Sequence, residues 1–221
     1  MEGKFPRSLG FVLVVALGIS LYGLPMTQKN AGSIDDTVKD FLAGMKNRWR
    51  DLNVPEADGA MLYNIVLSHK YTRALEIGTS TGLSGIYIAW ALSKTGGKLV
   101  TVEIDEARQA EAVGNFRKAG LAGIIDARLA DAHDLVPALP GPFDFVFIDA
   151  DKDWYVNYAK AVIPKVEAGG CIAAHNVYEA HAGEDGRGTA RYFAYMKSLL
   201  EFDTNILPGG SGSLSVSYKK K

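Results

Sequence analysis

The densest chemistry in the chain lies in Ile148-Asp149-Ala150-Asp151-Lys152, directly after the apolar run that begins at Phe143. A hydrophobic strand there delivers Asp149 to the active face, followed at once by Asp151 and Lys152. Further along, Gly169-Gly170-Cys171-Ile172-Ala173-Ala174 delivers His175 and Asn176 to another strand end. Asp149, His175 and Asn176 are oxygen and nitrogen donors that can converge on one divalent cation. Earlier, Glu76 is followed by Ile77 and the turn Gly78-Thr79-Ser80-Thr81-Gly82-Leu83-Ser84. Glycines there allow a tight turn and close approach to a ligand, and the following helix start offers free amides. An acid at Glu76 repels a pyrophosphate, and no Gly-Lys-Ser/Thr accompanies the glycines, so neither a dinucleotide nor a P-loop reading fits.

Glu76 suits a cationic ligand instead. Glu103, at the end of Val100-Thr101-Val102-Glu103, is suited to accept both hydroxyls of a ribose. A ribose-bearing cofactor with a positive sulfonium and no pyrophosphate satisfies both acids, which describes S-adenosylmethionine. Each feature also has a plain reading: an ordinary strand–helix turn at Gly78, a solvated charge at Glu103, a surface lysine at Lys152. Asp105 reads as the cap of the next helix.

The elements that must position these groups alternate. Helical spacing marks 34–50 and a second helix after Asn53-Val54-Pro55, from Ala60 onward. Strands are predicted at 74–77, 99–104, 124–129, 143–149 and 171–174, with helices near 85–92, 106–119, 135–139 and 154–166. A helix at 189–200 leads to strands 204–207 and 214–218, joined as a hairpin through Gly209, Gly210 and Gly212. Strand–helix alternation predicts an α/β, doubly wound domain with a parallel sheet covered on both faces, and ligands beyond the carboxyl ends of its strands.

With 221 residues, 48% hydrophobic and 22% charged, the chain has ordinary globular composition. Lys plus Arg number 24 and Asp plus Glu 25, for a net charge of −1, which argues against an electrostatic nucleic-acid binder. The single cysteine, Cys171, excludes an intrachain disulfide and a Cys-rich zinc site. Lys4 and Arg7 precede an uncharged run from Leu9 to Leu24, ended by Pro25. As a helix this run is about 24 Å long, shorter than the ~30 Å hydrocarbon core. Residues 1–25 therefore read as a cleaved signal or an uncleaved membrane anchor, with a buried helix as the plain alternative, and residues 26–221 as the folded domain. The basic flank favours an outward-facing or exported domain, whereas S-adenosylmethionine is made in the cytosol, so a cytoplasm-facing domain stays open.

Three segments together, Glu-Ile-Gly-x-x-x-Gly-x-Ser from Glu76, Val-Glu-Ile-Asp from Val102, and Ile-Asp-Ala-Asp-Lys-x-x-Tyr from Ile148, resemble the metal-dependent O-methyltransferases of the catechol and caffeoyl-CoA type, over roughly residues 34–220. The resemblance implies a Rossmann-like, seven-stranded, mostly parallel sheet whose last strand is antiparallel. It implies cofactor contacts at Asn53, Val54, Glu76, Gly78, Ser84, Glu103, Asp131, Ala132 and Asp149. Within that set Glu76 lies by the methionine part, Glu103 by the ribose and Asp131 by the adenine. It further implies a metal held by Asp149, His175 and Asn176, a catalytic base at Lys152, a small hydroxylated aromatic as acceptor, and a possible homodimer.

One position departs from the pattern: the family usually has Asp-Asn where this chain has His175-Asn176. An imidazole in place of a carboxylate disfavours Mg²⁺ and favours Mn²⁺, Fe²⁺, Co²⁺ or Zn²⁺, with Asp151 available to compensate in part. Alternatively His175 only hydrogen-bonds nearby and no metal is needed. Tyr155 and Tyr158 read as packing, Trp154 as a core cap, and His181, Arg187 and Arg191 as surface charges near the acceptor side. A methyltransferase of a hydroxylated tRNA base and a non-catalytic S-adenosylmethionine-binding protein are the alternative functions.

Overall fold

The computed structural model describes residues 1, 3, 32–179, 188–209 and 213–221. The apolar run 9–24, His181, Arg187 and the tip of the final hairpin lie outside them. Among the described residues no helix is long and apolar enough to cross a membrane.

Among the described residues the α-helices and strands follow in the order α1 (Ile34–Met45), α2 (Glu56–His69), β1 (Arg73–Ile77), α3 (Leu83–Thr95), β2 (Lys98–Glu103), α4 (Glu106–Lys118), β3 (Ile125–Leu129), α5 (Ala132–Ala138), β4 (Phe143–Ile148), α6 (Tyr155–Val162), β5 (Val166–His175), α7 (Gly188–Ser198), β6 (Phe202–Pro208) and β7 (Ser213–Lys219). The seven strands form one sheet in the order β3-β2-β1-β4-β5-β7-β6. β1 to β5 pair in parallel, and β7 runs antiparallel to both β5 and β6. The strand order reverses between β1 and β4, where an open α/β sheet parts to admit a ligand.

Period-two alternation assigns each strand's side chains to one of two cores. Ala74, Leu99, Phe145, Phe147 and Cys171 pack under α1 to α4, while Leu75, Val102, Val146, Ile148 and Ile172 pack under α5 to α7. The central parallel strands β4 and β5 thus carry apolar side chains on both faces, as strands covered by helices on two sides must.

Several boundaries differ from the sequence expectations, each for a local reason. α1 starts at a capping box between Ser33 and Asp36 and stops at Met45, short of residue 50, because the chain turns through a positive φ at Asn47. α2 begins at Glu56, directly after Pro55, and so includes Asp58. The predicted helix 154–166 breaks into 3₁₀ turns at Lys152–Trp154 and Ile163–Lys165 around α6, since Pro164 cannot donate into a helical ladder. β5 is ten residues long, extending the predicted core strand in both directions.

The start of β1 is tied to β4 by Asp144, which accepts from the Thr72 amide at 2.7 Å, the Thr72 hydroxyl at 3.0 Å and the Arg73 amide at 2.8 Å. Asp144→Ala strands two backbone amides in a half-buried setting and should cost about 2–4 kcal/mol, read as a lower urea midpoint at unchanged m-value.

Candidate functional site

A cleft of about 710 Å³ opens over the carboxyl ends of β1, β2 and β4, a volume in the range of small-molecule sites. Its floor is set by Gly78. With φ at +99°, Gly78 occupies a backbone region that favours glycine, and a Cβ there would run into the Asp149 carbonyl. The turn is held on both sides, as the Gly78 amide donates to the Val102 carbonyl at 3.0 Å and the Asp149 amide to the Ile77 carbonyl at 2.8 Å.

Of the residues anticipated as functional, Asn53, Gly78, Glu103, Asp131, Ala132, Asp149, Lys152, His175 and Asn176 all line this cleft. Glu103 is oriented by amides: Oε2 accepts from Ser80 at 2.8 Å, and Oε1 accepts from Ile104 at 3.1 Å and Asp105 at 3.0 Å. The Arg108 guanidinium, 3.2 Å from Oε1, shares that carboxylate. Asp131 caps α5 by accepting from the His133 amide at 2.8 Å. Asp105 caps α4 in the same way through the Arg108 amide.

Three anticipated residues turn away. Val54 is buried in the core, and neither Glu76 nor Ser84 lines the cleft. Glu76 shares the strand face of Ala74 and sits under the first turn of α3, its Oε2 accepting from the Thr101 hydroxyl at 2.6 Å. Burial pushes its carboxyl up to about 7 against the opposing hydrogen bonds from Ser84 and Thr101. Asn53 reaches the cleft, yet its amide works as a clasp: Nδ2 donates to Thr81 Oγ1 at 2.6 Å and Oδ1 accepts from the Leu83 amide at 3.2 Å.

The reactive end is built around Asp149. Lys152 donates to Asp149 Oδ1 and, at 2.8 Å, to the Tyr155 hydroxyl. The Tyr155 hydroxyl itself donates to the His175 carbonyl at 3.1 Å, so the expectation of packing holds for its ring and fails for its oxygen. Burial, then the Asp149 carboxylate, raises the Tyr155 phenol well above its ordinary range and keeps it a neutral donor. Burial alone would raise Asp149, but His175 and Lys152 outweigh it and hold the carboxyl below the usual range. Trp154 is no core cap. It is half-exposed and stacks on His133 with ring centroids 3.9 Å apart.

His175, only 4% exposed, stands between two carboxylates. Its Nε2 is 2.9 Å from Asp58 Oδ2 and its Nδ1 is 3.5 Å from Asp149 Oδ2. Burial would lower its pKa, and Asp149 and Asp58 together reverse that and raise it. Asp58 was not singled out from the sequence. The available signal was a carboxylate on the apolar stripe of α2, in register with Leu62, Ile65 and Val66, all buried. Asn176 turns the backbone at φ +54° beyond His175, where the Thr189 hydroxyl donates to its carbonyl at 2.8 Å. Among the described residues no three His, Cys, Asp or Glu side chains form a ready-made cage. Asp149 and His175 fit a divalent cation only with Asn176 and further oxygens completing the shell. Arg191, expected near the acceptor, donates to the Asp153 carbonyl at 3.4 Å.

Residues 35–207 match the O-methyltransferase family. The chain belongs to that family. Among curated relatives it is 41% identical over 144 residues to the catechol O-methyltransferase of Niastella koreensis, a match covering 60% of this chain and 65% of that protein. It is 33% identical over 136 residues to caffeoyl-CoA O-methyltransferase 1 of Eucalyptus globulus, covering 59% and 55%. The chain thus spans less than two thirds of the length of the curated relatives it matches. The O-methyltransferase of Bacillus cereus in complex with SAH superimposes with a TM-score of 0.72 at 26% identity, covering 84% of this chain and 91% of that one.

The raised Glu76 carboxyl has a sign that can be tested. Its folded-state value exceeds the ordinary 4.5, so the fold binds this proton more tightly than the unfolded chain does. The stability it contributes is complete below pH 4.5 and is lost as pH rises toward 7. Glu76→Gln should therefore lose less stability than the wild type between pH 5 and pH 8, by up to about 3 kcal/mol, measured by urea unfolding at both pH values.

Proposed function

We propose that this O-methyltransferase family member transfers a methyl group from S-adenosylmethionine to a hydroxyl of a small, catechol-like aromatic. The observation that carries the reading is the meeting of Lys152, Asp149 and Tyr155 at the end of a cleft whose other end presents the amide-oriented Glu103 carboxylate. One end has the acid suited to a ribose, and the other has an amine suited to a hydroxyl proton.

Lys152, as the amine, takes the proton leaving the acceptor hydroxyl. This frees the oxygen electron pair for the methyl carbon, while the cofactor sulfur keeps the pair of the bond that breaks. Asp149 Oδ1 and the Tyr155 oxygen then hold the ammonium that forms. Gly78 lets the donor approach Asp149 closely, and positioning of this kind supplies much of the rate in an in-line transfer. Asp149 Oδ2, His175 Nδ1 and Asn176 would hold a divalent cation, which when bound lowers the pKa of a vicinal hydroxyl and orients the ring.

We further propose that residues 1–25 act as a signal or anchor ahead of the domain at 26–221, a reading supported by the uncharged run Leu9–Leu24 behind Lys4 and Arg7. Protease accessibility of the domain in intact cells tests its sidedness. A homodimer is supported by the family resemblance alone, and sedimentation of the purified chain tests it.

The full chain, given methyl-labelled S-adenosylmethionine and a panel of catechols with added divalent cations, should yield labelled ether. Bound SAH with no product from any acceptor would overturn the catalytic reading in favour of a binding protein. Lys152→Met should cut turnover by about 100-fold or more, with SAH affinity by calorimetry unchanged. Unaltered turnover would remove Lys152 from the role of base.

A further inference from the structure

The Tyr155 hydroxyl sits where it decides the direction of the Lys152 amine. The 3₁₀ turn Lys152–Trp154 brings residues three apart onto one face, so the lysine lies over the ring that opens α6, with Nζ 5.1 Å from its centroid. That ring is fully buried and held edge-on by Tyr192 of α7, the centroids 5.5 Å apart and the planes at 84°. A tyrosine hydroxyl has a single proton to give. Its acceptors here are the His175 carbonyl at 3.1 Å and, further away at 3.4 Å, Asp149 Oδ1. Whichever of them takes the proton, the oxygen meets Lys152 with lone pairs alone, and Nζ donates to it at 2.8 Å. Nζ also donates to Asp149 Oδ1. A lysine amine has three positions around nitrogen besides its carbon stem. Two of them are spent on these fixed oxygens, and the cleft that Lys152 lines is where the third is free to act.

We propose that Tyr155 is a positioning residue for the base: with its proton directed away from Lys152, its oxygen acts on the amine only as an acceptor, and with Asp149 Oδ1 it pins two of the three Nζ positions so that the lone pair of the neutral amine faces the acceptor hydroxyl. The inference rests on Lys152 as the base of the methyl transfer proposed above. A hydroxyl free to turn would donate to the neutral amine and occupy the lone pair that must receive the acceptor proton. The bond to the β5 backbone prevents this, because a carbonyl oxygen has no proton to give in exchange. The acceptor proton then completes the ammonium at the third position, while the bonds to Asp149 and Tyr155 stay as they were. No partner of Lys152 has to move during the step, so its orientation is settled before the substrate arrives.

The test is a double-mutant cycle on the single-turnover rate of methyl transfer by the full chain, under the conditions that give labelled ether. Tyr155→Phe, which removes only the oxygen, should slow transfer by about 10-fold or more, while the catechol concentration at half-maximal rate changes by less than about 3-fold. In a Lys152→Met chain the same change should slow the residual transfer by less than about 2-fold, because no amine is left to aim. Replacement of Tyr155 by 4-aminophenylalanine keeps the shape and a donor for the His175 carbonyl but turns a second N–H toward Nζ. It should be as slow as Tyr155→Phe, and it decides the matter if Tyr155→Phe does not fold. SAH affinity checks that each variant is folded. Tyr192→Phe, which also deletes a buried phenol oxygen, should transfer at the wild-type rate. An equal cost of Tyr155→Phe in both backgrounds, an equal loss in Tyr192→Phe, or the full rate with 4-aminophenylalanine would overturn the proposal and leave Lys152 as the base. A wild-type chain that binds SAH and gives no product overturns the methyl-transfer reading and this inference with it, so the two failures are told apart.

Discussion

The close backbone approach of Gly78 to Asp149 is the constraint on which the rest of the site depends. Two parallel strands part at this point, and the chain leaving β1 must turn within van der Waals reach of the Asp149 carbonyl. Only a residue without a side chain can make that turn. Because it is made, the Glu103 carboxylate, the Ser80 amide and the Asp149 carboxylate all border one space. The sheet supplies the alignment, and hydrogen bonds from Gly78 to Val102 and from Asp149 to Ile77 keep the two strand ends from drifting.

Much of this was legible because the signals are short. An acid at the end of an apolar run, followed by a turn, can be read within ten residues, and Glu103 and Asp149 lie where such signals put them, whereas Asp131 and the role of Lys152 were legible only through the family resemblance. What a strand end cannot reveal is which way the pleat points its last carboxylate. Glu76 shares a face with Ala74 and so is driven under α3, while Glu103 ends its strand beyond the helices and reaches the cleft. The helix boundaries that shifted did so at Asn47, Pro55 and Pro164, where backbone rules outweigh hydrophobic period. Asp58 escaped because its meaning depends on a partner in β5, and no local pattern contains that information.

The electrostatics of the site follow from how its carboxylates are occupied. Glu103 is claimed by amides and Arg108, Asp131 by a helix start, and Asp149 by Lys152 on one oxygen and His175 on the other. Glu76 keeps its proton near neutrality through burial. A cleft lined by several acids therefore carries less free negative charge than its composition suggests, because much of it is taken up by oriented partners.

The distance in sequence between Asp58 and His175, 117 positions, has a consequence for how the molecule is made. As the chain is synthesised, α2 emerges with its acid on an apolar face long before β5 exists to receive it. Closing so long a loop is entropically slow, and neither residue gains from the other until the centre of the sheet has assembled. The imidazole bridge thus joins an early-synthesised helix to a strand made much later. A nascent fragment that stops before β5 carries Asp58 and Asp149 without the imidazole that stands between them.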